Sequence, residues 1–259
     1  RIFRVPANYP PVGTNRGKVI SGMGTPDLKG SSGTFAYFTD DPGWKDGPIS
    51  GGEVTRVAIR NGSIETSLTG LTNPFRVGTP ATEIKFRVDI DKENRNATIQ
   101  IADQILVLNE GEWSDWVTVE FELIPALIKL QGMVRFYLKE LTPNFRLYSS
   151  PINIDPRAPA QPIASPAEYA IDMAENAGPF YTQEMPEDTK ALSEGVLTPQ
   201  EFFIQSEIVL DERRRLLKYE LNQFNAEPGS AFMFFYFSSV DLRNHMLARQ
   251  QDPGHPFHD

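Results

Sequence analysis

Apolar and polar positions along the chain follow two periods. Between residues 53 and 155 the period is two. Thr82–Ile90 places Ile84, Phe86, Val88 and Ile90 on one side and Lys85, Arg87 and Asp89 on the other, the pattern of a half-buried strand. Val54–Arg60, Thr98–Ile101, Gln104–Asn109, Trp116–Ile124 and Gly132–Leu138 read as further strands. Polar turns separate them, including Asn61-Gly62 and Asp91–Asn96. Thr98–Ile101 and Gln104–Asn109 are separated only by Ala102-Asp103, which predicts a two-residue hairpin built without the usual Asn-Gly or Asp-Gly turn. Short strands at near-regular spacing predict an antiparallel, sandwich-like domain.

The flanking regions differ. Residues 1–52 are rich in Gly and Pro (VPANYPPVG, SGMGTPDLKGSSGTF, TDDPGWKDGPISGG) and predict one short strand, Thr34–Thr39, in a segment lying against another body. Residues 156–195 are Pro-rich, with a short helix predicted from Pro166 to about Glu175. Thr198-Pro199-Gln200-Glu201 then forms a capping box with Pro at the first helical position. It opens a helix predicted over Pro199–Asn222, whose seam is Phe203, Leu210, Leu217 and Phe224, joined by Leu221. Asp211–Arg215 reads as its solvated charge run. Ala231–Phe237 (AFMFFYF) is apolar throughout and predicts a strand buried on both faces, as in a parallel α/β sheet. The expected fold class is α+β. It comprises a core-associated segment (1–52), an antiparallel β-sandwich-like insert (53–155), and a helical segment with one α/β-core strand and a ligand loop (156–259).

Composition narrows the chemistry. Cysteine is absent from the 259 residues, which removes disulfides, thiolate metal sites and cysteine nucleophiles. The net charge of −9 argues against a nucleic-acid-binding surface. No apolar run approaches the roughly 20 residues needed to span a bilayer. Proline is 21 of 259, about 8 % against a usual ~5 %, which favours loops over helices. The chain begins at Arg1 and shows no signal-peptide pattern, so a processed or truncated piece of a longer protein is expected.

All three histidines, His245, His255 and His258, fall in the last fifteen residues. Ligands of open α/β sheets sit just beyond the carboxyl ends of strands. Asp241 follows the predicted strand at once and His245 is four residues further on, so both project from one side of a helix. A carboxylate oxygen and an imidazole nitrogen at that spacing can share a zinc-like ion. The competing reading is a capped helix with a surface histidine. His255 and His258 sit among prolines and need not converge. Thr25, in Gly24-Thr25-Pro26, reads as a turn residue in preference to a nucleophile. Trp113-Ser114-Asp115-Trp116 reads as strand aromatics.

The run Phe235-Tyr236-Phe237-Ser238-Ser239-Val240-Asp241-Leu242-Arg243-Asn244-His245 resembles the metal-ligand segment of type I phosphodiesterases and nucleotide pyrophosphatases of the alkaline phosphatase superfamily. Gly22–Asp27, Phe180–Gln183 and Pro186–Thr189 resemble large bacterial members. The resemblance implies that Asp241 and His245 bind one of two divalent ions, zinc being expected, in a parent enzyme acting on a small phosphate-ester substrate. It implies that the nucleophile and the other ligands lie outside this chain, which is then an internal piece inactive alone, and a periplasmic or secreted location. In the family a Glu-x-x-Asp often leads into the ligand; here Ser238-Ser239-Val240 stands in that place. The alternative expectation is a non-catalytic binding module centred on the sandwich and its aromatics near Trp113 and Trp116. The sequence does not fix the oligomeric state.

Overall fold

The structure is a computed structural model that describes residues 9–11, 17–226 and 229–254. The fold is α+β. The chain divides into two compact units, Pro26–Asp155 and Arg1–Thr25 with Pro156–Asp259. Strand β1 (Val19–Ile20) belongs to the second unit.

The β-rich unit begins at Pro26, so residues 26–52, expected in a separate segment, supply strands to it. These are β2 (Phe35–Thr39), β3 (Gly47–Ile49) and β4 (Gly52–Arg56). A four-stranded antiparallel meander follows: β5 (Ser63–Thr72), β6 (Ala81–Asp91), β7 (Asn96–Ile101) and β8 (Gln104–Asn109). Then come β9 (Glu112–Trp113), β10 (Val117–Ile124), β11 (Ile128–Val134), β12 (Phe136–Glu140), β13 (Arg146–Ser149) and β14 (Asn153–Ile154). A six-stranded sheet runs β3-β4-β2-β13-β12-β9, and a three-stranded one β10-β11-β14. Among the described strands pairing is antiparallel except between β2 and β4.

The two-residue period sets the core. Phe86 and Val88 of β6 are buried while Lys85 and Arg87 are exposed. Phe86 meets Phe38 of β2 edge-on at 5.0 Å and Phe136 of β12 at 5.7 Å, so the four- and six-stranded sheets share one aromatic core. A Cβ at Gly70 of β5 would lie 2.2 Å from the Phe121 ring of β10, so this strand position needs glycine. The β7–β8 hairpin has its two-residue loop at Ala102-Asp103, with Ala102 at φ 52°. Gly132–Leu138, predicted as one strand, is divided between β11 and β12 at Arg135. There the Arg135 backbone exchanges hydrogen bonds with Ser150, N–H to Oγ at 2.9 Å and carbonyl from N–H at 2.9 Å. The chain crosses from one sheet to another at this residue.

The second unit pairs β1 with β15 (Ala164–Ser165) and carries α1 (Glu168–Ala177), α2 (Thr189–Ser193), α3 (Pro199–Ala226) and α4 (Ser238–Gln251). The capping box forms: Glu201 N–H donates to Thr198 Oγ1 at 3.2 Å and Thr198 N–H to Glu201 Oε2 at 2.7 Å. The buried stripe of α3 is Phe202, Gln205, Ser206, Val209, Glu212 and Leu216, a rotation away from the predicted seam, whose Phe203 and Leu221 are exposed. The helix turns polar groups inward because each has a partner there. Gln205 Nε2 donates to Pro186 O at 2.8 Å, and Glu212 Oε2 accepts from Tyr181 N–H at 3.0 Å. Residues 231–237, expected as a doubly buried strand, join no ladder among the described residues, and Phe232 is 82 % exposed. Burial of that run needs sheet neighbours on both sides, and no described strand supplies them.

Candidate functional site

Helix α4 presents the predicted pair. It starts at Ser238, three residues before Asp241, so Asp241 lies in the first turn, where the helix dipole favours a carboxylate. Four residues on, His245 projects from the same face. Asp241 Oδ1 and His245 Nε2 are 3.3 Å apart, and the side chains are 56 % and 73 % exposed. Two ligands held at about 2.0–2.1 Å from one tetrahedral ion are separated by about 3.3 Å, so the donor types and their spacing fit a shared divalent ion. Burial, then the negative charges of Asp241 and Glu187, pushes the Tyr236 phenol above its ordinary pKa. No group of three or more His, Asp and Glu side chains able to hold a metal occurs among the described residues. The pair thus stands as an exposed i,i+4 carboxylate–imidazole contact without a third donor group among the described residues. His255 and His258 lie outside the described residues.

The base of α4 rests on a buried polar cluster that sequence reasoning missed. Glu187 is fully buried, and its Oε1 accepts from Ser238 Oγ at 3.0 Å and from Ser239 Oγ at 2.5 Å. Its Oε2 has no hydrogen-bond partner among the described residues. Burial is the largest influence on Glu187 and raises its pKa; the serine hydroxyls and the Arg213 charge oppose it. Arg213 is lowered by its own desolvation, against Glu187 and Glu212. Next along the chain, Asp188 caps α2 by accepting Ala191 N–H at 2.9 Å, and Gln205 Oε1 accepts Asp188 N–H at 3.2 Å. One turn beyond Ser239 on the same face of α4, Arg243 Nε donates to Ser206 Oγ at 2.7 Å, pairs with Glu207, and lies 4.7 Å above the Phe203 ring. The one sequence signal for this cluster is Pro186-Glu187-Asp188-Thr189, which reads locally as a helix cap and says nothing of its distant serine partners.

The other singled-out residues have structural duties. Thr25 is fully buried in a turn closed by its N–H to Gly22 O at 3.0 Å, so it presents no accessible nucleophile. Asp211–Arg215 is not a uniformly solvated run. Asp211 and Arg214 pair in solvent at 2.8 Å, while Glu212 is 2 % exposed and Arg215 Nη1 donates to Ala177 O at 2.7 Å. Trp113 stacks on Tyr137 at 4.6 Å and meets Tyr148 edge-on at 5.4 Å. The Arg135 guanidinium covers Trp116 at 4.7 Å. Each indole is half-buried, with one protein group packed against its ring. No described helix is long and apolar enough to cross a membrane. No family model, curated protein or solved structure matches the chain.

Proposed function

We propose that this chain is part of a metal-dependent hydrolase of phosphodiester or pyrophosphate bonds, and that Asp241 and His245 are two ligands of one divalent ion, zinc by donor type. The observation that carries the reading is the 3.3 Å separation of Oδ1 and Nε2 on one exposed helical face, the edge length of a tetrahedral zinc site. Asp241 and His245 would hold the ion, which would supply Lewis-acid polarisation of a phosphoryl oxygen. The chain's own part is to present a carboxylate oxygen and an imidazole nitrogen from successive turns at the start of α4. Catalytic zinc sites ordinarily have three protein ligands, so two give weak binding and no appreciable turnover by this chain alone. The reading carries with it a small phosphate-ester substrate and a periplasmic or secreted setting.

Zinc calorimetry on the chain tests the proposal. Asp241→Asn keeps the shape but loses the anionic donor, and is expected to weaken zinc binding at least tenfold; His245→Ala does the same. Unchanged zinc affinity in both variants overturns the assignment. Hydrolysis of bis-(p-nitrophenyl) phosphate by the wild-type chain, abolished by Asp241→Asn, overturns the claim of inactivity.

A further inference from the structure

We infer that Glu187 is a positioning residue for the metal-ligand helix, acting through Ser238 and Ser239; this rests on the ligand reading of Asp241 and His245. The geometry is specific. One carboxyl oxygen, Glu187 Oε1, collects the hydroxyls of two consecutive residues, at 3.0 and 2.5 Å. Those residues are the first two of α4, where helix N–H groups lack intrahelical partners and the chain is most prone to fray. No side chain caps this helix: Phe237 stands at the N-cap position and makes no cap hydrogen bond. The clamp to Glu187 takes the place of a cap by fastening the first turn to the body of the unit. Asp241 is two residues after Ser239, so rotation or fraying of that turn would swing its carboxylate away from His245.

The surroundings make the acceptor oxygen, and not the charge, the working part. Glu187 and Ser239 are almost wholly buried, and Ser238 is close to it. Burial favours the neutral acid. Oε1 can accept both serine hydroxyls whether or not the carboxyl is ionised. This separates positioning from generic charge pairing: an amide at 187 preserves the clamp, whereas an apolar side chain of similar size removes it. Outer residues that orient metal ligands typically change affinity by 10–100-fold when lost.

The experiment is zinc calorimetry on the full chain with Glu187→Leu, Glu187→Gln, Ser239→Ala and the Glu187→Leu/Ser239→Ala double variant, with Asp241→Asn as reference. Folding is checked by far-ultraviolet circular dichroism. Glu187→Leu is expected to weaken zinc binding about tenfold. Glu187→Gln is expected to retain wild-type affinity within about threefold. Ser239→Ala weakens binding by less than Glu187→Leu, which also loses the Ser238 contact, and the double variant is no weaker than Glu187→Leu, because the Ser239 effect runs through Glu187, its bond to Ser206 O being long at 3.5 Å. Should Glu187→Leu fail to fold, Ser239→Ala, a small and nearly isosteric change, decides alone. Wild-type affinity in Glu187→Leu or in Ser239→Ala, with loss in Asp241→Asn, overturns this inference and leaves the ligand reading standing. Wild-type affinity in Asp241→Asn overturns the ligand reading itself.

Discussion

Replacing Glu212 by Leu probes the inward polar face of α3, where sequence pattern and structure disagree. As one member of an Asp-Glu-Arg-Arg-Arg run on a solvated face, Glu212 would change stability by no more than about 0.5 kcal/mol when replaced. In the fold it is 2 % exposed and accepts the N–H of buried Tyr181 at 3.0 Å, with Arg213 alongside. A hydrogen bond to a charged acceptor contributes about 1.5–3 kcal/mol, and its loss leaves a buried N–H unsatisfied. Leu restores some apolar packing, so the net loss is about 2–3 kcal/mol. With a denaturant slope of about 2 kcal/mol per molar urea, the unfolding midpoint drops by about 1 M. The assay separates the units. All three tryptophans, Trp44, Trp113 and Trp116, lie in the β-rich unit, and the α-helices among the described residues lie in the other. Ellipticity at 222 nm should therefore record the shift. Asp211→Leu, which breaks only the exposed pair with Arg214, should cost less than about 0.5 kcal/mol and so move that midpoint by less than about 0.25 M. Equal shifts for Glu212→Leu and Asp211→Leu would refute the buried polar stripe.

Phe86→Ala removes the ring between Phe38 and Phe136 and should cost about 3–5 kcal/mol, recorded by tryptophan fluorescence in urea; a loss under 1 kcal/mol would show that the two sheets do not share this core. Because burial raises the Glu187 pKa, the folded unit binds more protons than the unfolded chain between the ordinary Glu value and the raised one. The helical unit should therefore lose stability as pH rises through that window, and Glu187→Gln should flatten the dependence; a midpoint at 222 nm that climbs with pH through the same range would contradict the sign. Phe232, Phe234 and Tyr236 expose an extended, unpaired apolar run, so the chain should bind anilinonaphthalene sulfonate and self-associate. Phe234→Lys should reduce both, measured by dye fluorescence and sedimentation velocity, and unchanged association would place the sticky surface elsewhere.

Local rules made much of the fold legible. The Thr198–Glu201 capping box forms as its spacing dictates, because both partners lie within three residues. The inward pattern of Phe86 and Val88 follows from the strand period alone. The Ala102-Asp103 hairpin forms despite poor turn chemistry, since six residue pairs in register outweigh the strain of one alanine at φ 52°. Where partners are distant in sequence, pattern reading fails. The seam of α3 was misplaced because Gln205, Ser206 and Glu212 count as polar, yet face inward toward groups on other segments. The break at Arg135 depends on Ser114 and Ser150, residues that no window around Gly132–Leu138 contains. Ala231–Phe237 carries the composition of a buried strand, but composition does not supply the neighbouring strands that bury it. Asp241 and His245 were legible because i,i+4 geometry is local; the Glu187 clamp beneath them, about fifty residues away in sequence, was not.

The most direct test of the metal-ligand account is imidazole nitrogen NMR of the ¹⁵N-histidine-labelled chain during zinc titration, with His245 assigned by its loss in His245→Ala. Only three histidines contribute, so the spectrum is simple. The account predicts that zinc moves the Nε2 resonance of His245, the nitrogen that faces Asp241, and that Asp241→Asn suppresses the movement at the same zinc concentration. A His245 resonance that stays in place, or one that moves equally in Asp241→Asn, would contradict it.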